Sequence, residues 1–401
     1  MEKGLGNFFE GYLKNDSFFK DKKALQSFYT PDTVPHRDEQ ITSVAKILAP
    51  CLKLEQPSNL FIYGKTGTGK TLCIKYVMNE LQKTAEQNFI PLKIFYINCK
   101  LKKIADTEYR LIAQLAREFG KEIPPTGLPT DEVYKIFFDA LDIKEQSIIF
   151  ILDEIDQLLN KAGDEILYNL TRINSELKKA KLSLVGISND LRFADNLDPR
   201  VKSSLSEEEL VFAPYNAVQI KDILKQRSQI AFKENTISDG VIEKCAAYAA
   251  REHGDARRAL ELLRVAAELA ERSGDNKVRI EHLDKAEEKI EHDKIIDLIT
   301  TQPKQHQVVL YSVLSLYSSK RKIIFTGEAY ELYKELCYKT NLRPLTQRRL
   351  SDIIAEFDML GIITAKVISK GRYGRTREIS LAINQSILPK IRKIIETELQ
   401  L

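Results

Sequence analysis

The pattern Gly64-Lys65-Thr66-Gly67-Thr68-Gly69-Lys70-Thr71 constrains this chain more than any other stretch. A short apolar run, Asn59-Leu-Phe-Ile-Tyr63, leads into it, and the amphipathic segment Thr71-Leu-Cys-Ile-Lys-Tyr-Val-Met leads out. Strand, glycine-rich loop and helix in that order are the setting in which G-x-x-x-x-G-K-T cradles phosphate. Glycines at 64, 67 and 69 let backbone N–H groups turn toward phosphate oxygens, and the helix N-terminus adds positive potential. Lys70 can reach the β- and γ-phosphates, and the Thr71 hydroxyl can sit on Mg²⁺. A chance glycine turn is the alternative, which a second motif at the right distance would set aside.

That motif is Ser147-Ile-Ile-Phe-Ile-Leu-Asp153-Glu154-Ile-Asp156, a buried strand ending in carboxylates. Open parallel sheets bind nucleotide at the C-terminal edge of their strands, where these acids fall. Asp153 would hold Mg²⁺ through its water shell, and Glu154 would orient and polarise an attacking water. Leu92–Asn98 reads as another strand, and Leu182–Asn189 as a fourth. Asn189 beside the acids suits a γ-phosphate or lytic-water contact, although a turn-forming Asn fits the same residues. Asp198-Pro-Arg200 places an arginine in a loop, either a plain surface charge or one offered to a neighbouring subunit's γ-phosphate. Upstream, the proline-punctuated Tyr29–Gln40 segment opens a helix and suits a wall of the nucleotide pocket or a simple connector.

With 401 residues the chain can form two or three domains. No run approaches the ~20 apolar residues of a membrane span, and the N-terminus lacks a signal core, so a soluble intracellular protein is expected. The five cysteines (51, 73, 99, 245, 337) and five histidines are scattered without ligand spacing, so no structural metal is expected. Residues 1–30 read as a loosely structured lead-in with some helix. Helices are expected at 106–119 and 130–141, joined by a Gly/Pro-rich link. From Pro214 the strands stop, and four helices run to about residue 300. Asp255 is a good N-cap, leaving Arg257 and Arg258 in a first helical turn, where their charge opposes the dipole and invites an anion.

The segment 295–401 holds 17 Lys and Arg against 10 Asp and Glu, a net of +7, while the remaining 294 residues carry −3. Helix, short strand, a helix capped by Thr326, a helix over Thr346–Leu360 and a glycine-tipped hairpin follow in that order. In the last helix, Leu350, Ile353, Ile354, Phe357 and Leu360 form one apolar stripe, with Arg348, Ser351 and Ala355 pointing away. From Lys366 to Arg377 the hairpin carries Lys366, Lys370, Arg372, Arg375 and Arg377, with Tyr373 among them and no acid between them. A helix–turn–helix with a basic wing suits DNA backbone and groove. A solvated hairpin is the bland alternative.

The order of these parts resembles the archaeal AAA+ replication initiators related to the origin recognition complex and the cell-division-cycle-six loader. The resemblance covers about residues 10–395. It rests on Gly64–Thr71, Asp153-Glu-Ile-Asp156, Gly254-Asp-Ala-Arg-Arg-Ala-Leu260 and Ser369-Lys-Gly-Arg-Tyr-Gly-Arg-Thr-Arg377. It implies an α/β AAA+ phosphate-loop NTPase base (1–213), a helical lid (214–294) and a C-terminal winged helix (295–401). ATP or ADP with Mg²⁺ would be held by Val34, Pro35, His36 and Arg37, by Gly64 through Leu72, and by Tyr215, Arg227 and Arg257. Arg257 would be the second sensor in preference to Arg258. Asn189 would be the first sensor and Arg200 an arginine finger, acting with Asp153 and Glu154. Duplex origin DNA would meet Arg343, Arg348, Arg349, Lys370, Arg372, Tyr373, Arg375 and Arg377, and the insertion around 107–130 would add its own hold.

The family uses ATP as a slow switch and recruits the replicative helicase, at times beside an initiator paralogue, in the archaeal cytoplasm at the nucleoid. Two other readings fit part of the pattern. One is a motor or signalling ATPase whose winged helix docks protein. The other is a clamp-loader subunit, which would end in a helical collar instead of a wing.

Overall fold

Residues 146–153 alternate their side chains between two apolar layers, and the larger sheet is built around them. The coordinates, a computed structural model, describe residues 17–401 except 27–28, 32, 101–106, 125, 193–196, 206–207, 319–322 and 370–374. Two compact units result, Met1–Asp284 and Lys285–Leu401.

In the first unit the strands are β1 (Leu60–Tyr63), β2 (Leu92–Asn98), β3 (Gln146–Asp153), β4 (Ala180–Ser188) and β5 (Glu208–Val211). All pair in parallel, in the order β2-β3-β4-β1-β5. Ile149 and Ile151 of β3 face a layer that includes helices α1 (Asp38–Leu48) and α2 (Lys70–Gln87). Ile148, Phe150 and Leu152 face the opposite layer, formed by α3 (Glu108–Glu118), α4 (Thr130–Leu141), α5 (Ile155–Ala162) and α6 (Glu165–Arg172). The two-residue period of a strand therefore puts Asp153 on the α2 side, together with Ile149 and Ile151. Phe150 is fully buried between sheet and helices, so truncating it to alanine would cost roughly 3–5 kcal/mol.

Sequence pattern did not anticipate α5, α6 or β5. The two helices are short, and β5 is an edge strand whose Glu208 and Glu209 are exposed, which hides its pairing with β1. Arg200 lies in the first turn of a short helix, α7 (Pro199–Leu205), and not in a loop, because Pro199 suits a first helical turn. The helical portion comprises α8 (Ala217–Ala231), α9 (Val241–Arg251) and α10 (Ala256–Ser273). The lead-in is also better ordered than expected from residue 17 onward. Phe19 stacks on Phe232, Lys20 N–H donates to Ala231 O, and Lys22 pairs with Glu268 of α10.

A long helix, α11 (Ile280–Thr300), carries the chain into the second unit. There α12 (Lys304–Ser318), α13 (Thr326–Lys339), α14 (Gln347–Met359) and α15 (Leu388–Leu399) pack with a three-stranded antiparallel sheet. Its strands are β6 (Ile324–Phe325), β7 (Ile363–Ser369) and β8 (Arg375–Leu381), in the order β6-β8-β7. This is the helix–turn–helix with a hairpin wing. Thr326 does not cap α13, as expected from sequence; it is the first helical residue, and its hydroxyl accepts from Arg377 N–H of the wing. Leu360 leaves the apolar stripe, 43% exposed, because the helix stops at Met359 and Gly361 turns the chain with φ of 70°. Among the described residues, no helix is long and apolar enough to cross a membrane.

Candidate functional site

The loop after β1 closes on itself around a buried amine. Lys70 Nζ donates to Gly64 O (2.7 Å), Lys65 O (2.8 Å) and Asn189 Oδ1 (2.9 Å). Burial lowers the Lys70 pKa to about 8; Asp153 opposes the shift and Arg257 adds to it. A phosphate arriving here would relieve an amine that water no longer solvates. Thr71 Oγ1, the next residue of α2, donates to Asp153 Oδ2 at 2.9 Å. The parity of β3 is what aims Asp153 at that hydroxyl. Glu154 follows in a left-handed conformation (φ 55°), donates its N–H to Asp153 Oδ1 and lies 3.6 Å from Lys100 Nζ. Asp156 Oδ1 accepts from Ser188 Oγ, which fixes the end of β4 where Asn189 begins. Thr71 and Asp153 are an oxygen pair suited to a hard cation and its water shell.

The helical portion reaches into the same loop. Gly67 (φ 70°) lies so close to the start of α10 that an added Cβ would sit 1.7 Å from Asp255 Oδ1. Asp255 caps α10 by accepting from the N–H groups of Arg257 and Arg258, and it also accepts from Thr66 Oγ1. Gly69 (φ 89°) is packed less tightly, with an added Cβ 2.7 Å from Tyr215 Oη. Arg257 lines the pocket with Tyr215, Arg227, Thr71 and Leu72, whereas Arg258 is buried against Glu252 at 3.1 Å.

The segment 34–37 divides its work. Val34 and Pro35 line the pocket, and His36 Nε2 meets Asp222 Oδ2 of α8 at 3.1 Å. Arg37 sits behind the loop, donating to Thr68 O and Ala213 O and lying over the Tyr215 ring at 4.0 Å. Thr68 in turn donates to Lys65 O. Arg227 is buried over the Tyr29 ring, and its Nη1 has no hydrogen-bond partner among the described residues. Arg200 does not join this pocket within the chain; it is exposed and pairs with Asp198 at 3.1 Å. Tyr29 and Thr30 line the wall, as one of the two expectations for the Tyr29–Gln40 segment had it, whereas sequence reasoning missed Gln26 in the wall and Tyr96 on Asp153. Gln26 lacked any motif, and Tyr96 reaches Asp153 through the β2–β3 register, which local pattern does not show.

In the second unit Arg348 lines an open groove between α14 and the wing, with Gln347, Ser351, Val367 and Arg377. Arg349 is engaged by Glu356 (3.6 Å) and Asp352 (3.9 Å), and Glu356 also meets His306 at 2.9 Å. Arg343 is exposed, just ahead of the N-cap Thr346. Lys370, Arg372 and Tyr373 lie outside the described residues, and Arg375 opens β8 opposite Ser369. On the α3–α4 segment, Leu111, Ile112 and Leu115 are buried in the core, while Arg110 and Arg117 are exposed.

Comparison with known proteins follows this geometry closely. Residues 297–390 match the family described as CDC6, C terminal winged helix domain. Residues 221–288 match the Cdc6 AAA+ ATPase-type lid domain, and 53–193 match an AAA domain. The ORC1-type DNA replication protein of Pyrococcus abyssi is 55% identical over 383 residues, 94% of this chain and 91% of that protein. The ORC1-type DNA replication protein 1 of Archaeoglobus fulgidus is 50% identical over 98% of this chain and 95% of its own length. Among solved structures, the Aeropyrum pernix ORC1 protein in complex with DNA superposes with a TM-score of 0.82 at 42% identity. That match covers 96% of this chain and 98% of the other.

Proposed function

This chain belongs to the family of ORC1-type DNA replication proteins, and from that premise we propose that it is an ATP-regulated initiator that binds duplex origin DNA and helps recruit the replicative helicase. The work divides among a nucleotide-binding base (1–213), a lid (214–294) and a winged helix (295–401). The observation that carries the switch is the seating of the Asp255 cap directly over Gly67, so that phosphates entering the loop must negotiate with the lid.

Lys70 would neutralise the β- and γ-phosphates, and Arg257 would approach from the lid side. Thr71 and Asp153 would hold Mg²⁺, which when bound supplies positive charge to the β- and γ-phosphate oxygens. Glu154 would take the proton of a water that Asn189 helps to orient. Its Lys100 contact and left-handed backbone suit a base restrained between turnovers, in keeping with slow hydrolysis. Arg200, exposed and outside the chain's own pocket, is the residue offered to a neighbouring protomer's nucleotide.

DNA would be met by Arg343, Arg348 and Arg377 and by the wing-tip Lys370, Arg372, Tyr373 and Arg375, with phosphate contacts positioning and groove contacts specifying. Arg349, held by its own helix's acids, contributes only after exchanging partners. Arg110 and Arg117 would give the base a second hold. That the Aeropyrum pernix relative is in complex with DNA supports DNA binding by this chain.

The test is a Lys70→Ala variant assayed for both ligands. Nucleotide binding should be abolished, while wing-dependent duplex binding stays within about threefold of wild type. Loss of all duplex affinity would overturn the separation of the two sites.

A further inference from the structure

Asp153 is more heavily engaged than a metal-facing carboxylate needs to be. Its Oδ1 accepts from Glu154 N–H at 2.9 Å, and its Oδ2 accepts from Thr71 Oγ1 at 2.9 Å. A third donor comes from the adjacent strand: Tyr96 Oη donates to the same Oδ2 at 2.5 Å. The sheet makes this contact unavoidable. Tyr96 pairs with Ile151 in the β2–β3 register, so its ring rises on the α2 face, one diagonal step from Asp153. Lys75 of α2 holds the ring from the other side, with its Nζ 4.8 Å from the ring centroid. A phenol carries its proton at neutral pH and is hence a donor.

An ionised carboxylate offers about four acceptor positions, and donors among the described residues take three here. We propose that Tyr96 is a positioning residue that throttles the metal site. By occupying one Oδ2 position it leaves Asp153 a single free position for a water of the Mg²⁺ shell, and it withdraws charge from the oxygen nearest Thr71. Nucleotide would then be held with a weaker demand for Mg²⁺ than the bare Thr71–Asp153 pair would set. This rests on reading Thr71 and Asp153 as the metal-facing pair.

Tyr96→Phe removes the donor and keeps the ring against Lys75 and the strand. The measurement is the affinity of full-length protein for fluorescently labelled ADP, first in chelator and then across a Mg²⁺ titration. In chelator the variant should match wild type, which shows an intact fold and pocket. The half-saturating Mg²⁺ concentration should fall roughly three- to tenfold, the range expected for one competing hydrogen bond. A structural defect would not tighten metal binding. An unchanged or higher half-saturating concentration, with wild-type affinity in chelator, would overturn the role of Tyr96 alone. A wild-type protein whose ADP affinity ignores Mg²⁺ would overturn the metal-site reading, and the proposal with it. Should the variant lose ADP affinity in chelator, Tyr96 would be a structural strut and the proposal would fall.

Discussion

Raising the pH from 7 to 9 should weaken nucleotide binding through one residue, Lys70. With no phosphate beside it, this amine titrates at about 8 because its burial is only partly offset by Asp153. Bound phosphates favour the ammonium and raise that value, so the complex retains its proton where the free protein gives it up. The sign follows directly: affinity is flat below about pH 8 and declines above it. At pH 9 the free amine is about nine-tenths neutral, which gives an affinity about tenfold lower than at pH 7, or ~1.4 kcal/mol.

Few neighbouring groups can mimic the effect. Burial pushes the Cys73 and Cys99 thiols up to about 12 and raises Tyr215, and phosphate groups have their second pKa at about 6, below this window. Calorimetry of ADP binding at pH 8.5, in two buffers of different ionisation enthalpy, reads the proton directly. Uptake of about 0.75 proton per nucleotide is expected from the same titration. A pH-independent affinity between 7 and 9 with no proton uptake would refute the argument that Lys70 is the buried, phosphate-seeking amine.

Three other perturbations separate the parts of the molecule. Glu154→Gln should lower ATP turnover at least ~100-fold, as expected for loss of a general base, with ADP affinity near wild type in equilibrium titration. Asp255→Ala removes the cap of α10 and should destabilise the fold by about 1 kcal/mol, visible as a lower melting temperature in scanning calorimetry. Arg348→Glu combined with Arg377→Glu should weaken duplex binding and reduce the slope of log affinity against log salt by about 1 per lost phosphate contact, leaving ADP binding unchanged.

The phosphate loop and the acidic strand end were legible because each is a local pattern with one physical purpose. The same holds for Asp255, whose place before Ala256 is a capping signal that the structure bears out. What sequence did not show was set by tertiary contact. Tyr96 approaches Asp153 only through strand pairing, and Gln26 reaches the pocket because the lead-in packs on α8 and α10. Nor does a sequence distinguish neighbouring arginines: Arg257 lines the pocket while Arg258 turns to Glu252, and Arg348 lines the groove while Arg349 is drawn to Glu356. Edge strand β5 was hidden by its exposed glutamates, and α5 and α6 by their shortness.

The most direct test of an ATP-regulated initiator is duplex binding by the whole chain. Origin DNA from the source organism is compared with scrambled DNA, with ADP and with a slowly hydrolysed ATP analogue, at two salt concentrations. The expected result is a preference for origin DNA that differs between the two nucleotides and is eroded as salt rises. Equal binding to both DNAs, or none, would contradict it and would turn the winged helix into a protein-docking surface.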